Sequence, residues 1–81
     1  MKTIQQEWEL FAKSVFGAED VSKVQYTEMK KAFFAGATAM FAMVQETGDP
    51  SVTEDQGVAH LDALQDEVVS FMRSMIDARR N

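Results

Sequence analysis

Tyr26, Thr27 and Lys30 lie within about one helical turn of each other. An aromatic face, a hydroxyl and an ammonium group at that spacing suit a base stacked beside a phosphate. Arg73 joins them if the helix that carries it runs antiparallel to theirs. The plainer reading of these cations is a solvated face, with arginines complementing a helix C-terminus.

A second set is acidic. Asp62 and Asp66 are four apart, Asp55 lies on nearly the same face, and Glu67 adjoins them. A carboxylate stripe can hold a divalent ion, but only with matching acids from a facing helix. The repeated Glu-x-x-Glu and Glu-x-x-Asp pairs of all-α nucleotide pyrophosphohydrolases are absent. The stripe therefore reads as a solvated face, or as a surface that engages a host protein. His60 is the only histidine and has no Glu-x-x-His partner; there is no cysteine, and the four glycines are dispersed. The expectation is a non-enzyme without metal or cofactor.

The chain has 81 residues and a formal net charge of −5. That acidity argues against general nucleic-acid binding, which needs a basic face. The apolar run AFFAGATAMFAMV is shorter than the roughly 20 residues a membrane span requires. The N-terminus, with Glu7 and Glu9, lacks the apolar run of a signal peptide. A soluble protein of the bacterial cytoplasm is expected. So small a chain, lacking disulfides and a metal staple, is marginal alone, and self-association is the remaining common stabiliser.

The elements that position these residues are all helical. Three helices are expected, over about 3–16, 21–47 and 53–79, in one domain. Thr3 with Gln6 and Ser22 with Gln25 have capping-box spacing, and Gly17 suits a C-terminal cap. At the third helix, Ser51 with Glu54 competes with Thr53 with Gln56. Gly57 weakens the expected first turn. Period-two alternation is absent, and the single proline, Pro50, sits in the turn region ETGDPSVTED. So short a turn predicts an antiparallel hairpin of the second and third helices. Centred between Pro50 and Ser51, it sets Met40 against Leu61, Ala37 against Leu64, Phe33 against Val68, Met29 against Met72 and Tyr26 against Met75.

From Ala32 to Val44 only Thr38 is polar. A helix apolar all round must be buried on all sides or sit in a membrane. The third helix is expected to cover the stripe with Phe33 and Met40. Trp8 and Phe11 of the first helix are expected over Phe34 and Phe41. Ala35, Ala39 and Ala42 then face outward, as do Val69, Met72 and Ile76, and both sets are expected to pack against other copies. The alternative is that alanine, a good helix former, is tolerated in water. Lys13, Lys23, Lys30, Lys31, Arg73, Arg79 and Arg80 gather at the open end of the hairpin; Glu46, Asp49, Glu54 and Asp55 gather at its turn. Glu19 with Lys23 and Glu28 with Lys31 are expected helix pairs.

The segment EMKKAFFAGA, Glu28 to Ala37, resembles small acidic open reading frames of tailed phages and prophages. These continue into a break and an acidic helix, here with Leu61, Leu64, Glu67 and Phe71. The resemblance covers the last two-thirds of the chain and implies a phage origin without an activity. A looser similarity is to phage proteins that sequester the cyclic nucleotide signals of bacterial immunity. Those are small three-helix chains that hold ligand between subunits. The shared features are a short helix before a long hairpin and a Tyr-x-x-x-basic start at Tyr26 and Lys30. The segment GDPSVTEDQG is acidic where those proteins carry a basic, arginine-containing turn. The expected function is a non-enzymatic phage accessory or counter-defence protein that sequesters a nucleotide as a homo-oligomer, through Tyr26, Thr27, Lys30 and Arg73. The alternatives are an acidic protein that blocks a host defence protein through Asp55, Asp62, Asp66 and Glu67, and a phage structural subunit.

Overall fold

The computed structural model describes residues 1–17 and 20–80. It contains three helices, α1 (Ile4–Phe16), α2 (Lys23–Glu46) and α3 (Glu54–Arg80), and no strand among the described residues. No helix is long and apolar enough to cross a membrane among those residues.

Short-range chemistry sets the helix ends. Thr3 accepts from the Gln6 amide at 3.1 Å while the Gln6 side chain accepts from the Thr3 amide at 2.9 Å. This reciprocal pair satisfies two of the donors a helix start leaves open. At the other end of α1, Gly17 donates to Lys13 O at 2.9 Å. Its φ of 58° is one that residues with a side chain rarely adopt, which is why glycine stands there. Ser22 Oγ accepts from the Gln25 amide at 3.0 Å and caps α2.

The competition at α3 is settled by Thr53. It accepts from the Gln56 amide at 3.1 Å and donates its own amide to Gln56 Oε1 at 2.9 Å. Ser51 is engaged elsewhere: its amide and hydroxyl both donate to Asp49 Oδ1, at 2.8 and 2.7 Å. Those bonds hold the Asp49 carboxyl below the usual carboxylate range, the Ser51 hydroxyl contributing most and the Ser51 amide next. Asp49 O also accepts from the Val52 amide at 2.9 Å, closing a turn around Pro50.

The chain divides into two compact units, Met1–Phe41 and Ala42–Asn81. In the first, α1 lies on the N-terminal part of α2 around Trp8, which is fully buried, and Ala12, also buried. The Trp8 ring meets Phe11, Tyr26 and Phe33 at centroid distances of 5.9, 5.3 and 5.5 Å, and Phe11 meets Phe33 at 5.3 Å. The stripe under α1 is thus Tyr26 and Phe33, seven residues apart on one face, and not Phe34 and Phe41. Phe41 remains 61% exposed. Phe34 follows Phe33 by about 100° around the helix, which turns it away from the indole.

In the second unit, Gly57 of α3 is buried against Thr47: a methyl built on it would stand 3.5 Å from Thr47 Cβ. The glycine that weakened the expected first turn is therefore a point of close packing. Leu64 is the buried apolar side chain of α3. Val58, Val68, Val69, Phe71, Met72, Met75 and Ile76 are exposed.

Candidate functional site

One groove of about 420 Å³ lies within the first unit, lined by Gln5, Thr27, Lys30, Lys31 and Phe34. It depends on two local facts. Thr27, Lys30, Lys31 and Phe34 share one side of α2 through three- and four-residue spacing. The Trp8 cluster, by drawing Tyr26 and Phe33 beneath α1, leaves Thr27 and Phe34 on the flank that Gln5 overlooks.

Lys30 Nζ stands 5.9 Å from the centre of the Phe34 ring, a cation–π distance. Its neighbour Lys31 donates to Glu28 Oε1 at 3.2 Å, the helix pair expected from the spacing. Lys31 is thus partly neutralised, while Lys30 forms no ion pair among the described residues. The Gln5 amide nitrogen donates to Glu9 at 3.2 Å, which leaves its carbonyl oxygen free to accept. The groove offers an ammonium, a hydroxyl, an amide oxygen and an aromatic face. Its volume falls in the range of small-molecule sites.

Of the residues singled out in the sequence, Thr27 and Lys30 meet in this groove. Tyr26 lies against Trp8 and does not line this groove. Its hydroxyl oxygen accepts from the Trp8 indole N–H at 3.0 Å, and its ring lies edge-on to Trp8 at 72°. It fastens α1 to α2. The aromatic residue in the groove is Phe34, and the sequence carried a signal for it: Lys30 and Phe34 are four apart, a spacing that brings side chains together on a helix. Arg73 is exposed on α3, in the other unit. The expected pair of Glu19 with Lys23 and the Arg80 side chain lie outside the described residues.

The remaining candidates are distributed as follows. Ala35, Ala39 and Ala42 are exposed, as are Val69, Met72 and Ile76. Thr38, the one polar residue of the apolar run, donates its hydroxyl to Phe34 O at 2.8 Å and so meets its need within the helix. Asp55, Asp62, Asp66 and Glu67 are exposed on α3, and no cluster of three His, Asp or Glu side chains suited to a metal occurs among the described residues. In the second unit a hollow of about 260 Å³ is lined by Glu46, Thr47, Val52, Gln56 and His60, and His60 Nε2 is buried there without a hydrogen-bond partner. Comparison of the chain with protein-family models, with curated proteins and with solved structures gives no match.

Proposed function

We propose that this chain is a non-enzymatic binding protein that sequesters a nucleotide, and that the groove of Gln5, Thr27, Lys30, Lys31 and Phe34 is where it does so. The observation that carries the reading is the unpaired Lys30 ammonium 5.9 Å from the Phe34 ring beside the Thr27 hydroxyl. A phosphate would take Lys30 and Thr27, and a base would lie along Phe34. The resemblance to phage proteins supplies the setting: a counter-defence protein of a phage or prophage that removes a cyclic nucleotide signal inside the host cell. In this reading the outward alanines contribute to an oligomer.

The test is a thermal-shift screen against cyclic di- and trinucleotides and linear nucleotides. A ligand at one hundred times its dissociation constant stabilises by about 2.7 kcal/mol, which in a domain of this size is a shift on the order of 10 °C. Lys30→Glu should abolish the shift while the helical spectrum stays unchanged. An unshifted melting curve across the panel would overturn the reading.

A further inference from the structure

The outer stripe of α3 suggests a partner. At about 100° per residue, Val58, Gln65, Val69, Met72 and Ile76 fall within an arc of ~60°. Val69 is 39% exposed, Met72 54% and Ile76 53%. Within their own unit, Ala42–Asn81, the residues outside α3 are a short stretch, and its contact with α3 at Thr47 is made with the first turn, at Gly57.

The charges beside the stripe say what fits it. Asp62 and Asp66 flank its N-terminal half, and Arg73 and Arg79 lie along its C-terminal half. None of the four is paired among the described residues, where the ion pairs are Lys2 with Glu7 and Lys31 with Glu28. A parallel pairing of two copies would set Asp62 and Asp66 against themselves and Arg73 against itself. An antiparallel pairing does the reverse. With Val69 opposite Met72 of the second copy, Gln65 falls opposite Ile76, Asp62 beside Arg79, and Asp66 about two residues, roughly 3 Å, from Arg73. The apolar stripe and the charge pattern choose the same register.

We infer that two copies of this chain associate antiparallel through α3, with Val69, Met72 and Ile76 at the centre and Asp62 and Asp66 facing Arg79 and Arg73. The inference stands on α3 alone and does not depend on the nucleotide reading. The contact from Asp62 to Arg79 spans 18 residues, roughly 27 Å. A single helix pair of that length lies toward the small end of specific interfaces, so dissociation on the order of micromolar is expected.

The experiment is sedimentation of the full chain over a concentration series at low salt, with far-UV circular dichroism as the check on folding. Wild type should show a concentration-dependent dimer. Met72→Glu should weaken it by at least about tenfold, since it places a carboxylate in the apolar centre. Arg73→Glu with Arg79→Glu makes the α3 flank acidic throughout and should weaken self-association by about tenfold. Asp62→Arg with Asp66→Arg should do the same, and an equimolar mixture of these two charge variants should recover the dimer. That recovery cannot arise from misfolding of either variant. A monomeric wild type, a dimer indifferent to Arg73→Glu with Arg79→Glu, or a mixture that fails to recover would each overturn the inference.

Discussion

In residues 1–41 a single indole is ringed by Phe11, Tyr26 and Phe33 and loses all its exposure. In residues 42–81 a 27-residue helix has Leu64 as its one buried apolar side chain, while Phe71, Met72, Met75 and Ile76 are exposed. The aromatic side chains are concentrated in the first unit, and Phe71 is the single one of the second. The first unit has two helices that close on each other, and each ring pair adds about 0.5–1.5 kcal/mol beyond the area it buries. The second has one long helix, the Ala42–Glu46 end of α2 and the turn between them. A helix draws most of its stability from packing an apolar face, so the lesson is that α3 needs a surface its own unit does not provide.

The sharpest way to break this contrast is Trp8→Ala. It removes the centre of the first unit and should cost about 3–5 kcal/mol, read from thermal or urea melts. A cost near that of an exposed substitution would mean the aromatic cluster contributes little. Tyr26→Phe is more selective, since it leaves the ring and strands the Trp8 indole N–H. About 1–3 kcal/mol should be lost, with the near-ultraviolet tryptophan signal altered. If Tyr26→Phe instead removed ligand binding without touching stability, the phenol would belong to the groove after all.

Gly57→Ala probes the second unit and should have the opposite sign. The added methyl meets Thr47 at ordinary contact distance, and glycine within a helix is unfavourable, so stability should rise by roughly 0.5–1 kcal/mol. A loss would show that α3 and Thr47 approach more closely than 3.5 Å allows. The smallest effect is the acid response of the turn. Ser51 holds the Asp49 carboxyl below its ordinary value of 3.8, so the folded turn favours the ionised form. That contribution is present above 3.8 and is lost as pH falls through the lower folded value. Melting curves of wild type and Asp49→Ala should therefore converge as the solution is acidified through this range. A constant gap would remove Asp49 ionisation from the account.

The sequence was most legible where partners are close along the chain. Thr3 with Gln6, Ser22 with Gln25, Gly17 and the pair of Glu28 with Lys31 all follow from spacing, because a helix places residues three and four apart together wherever it sits. The Thr53 and Ser51 caps were equal on spacing. What separated them was Asp49, which takes both donors of Ser51 for the turn. The groove was half legible. Thr27 and Lys30 stood out as side chains, whereas the packing of Tyr26 on Trp8 and the place of Phe34 in the groove depend on how α1 meets α2.

By itself, then, the sequence determined an all-helical chain, its helix ends and the cations of α2. Capping and helical period are local, and they act before any helix meets another. Only the tertiary structure decided which stripe of α2 lies under α1. A segment apolar on every side from Ala32 to Val44 has no preferred face of its own. Its rotation is set by which rings interlock with Trp8, and by the single hydrogen bond from the indole to the Tyr26 hydroxyl.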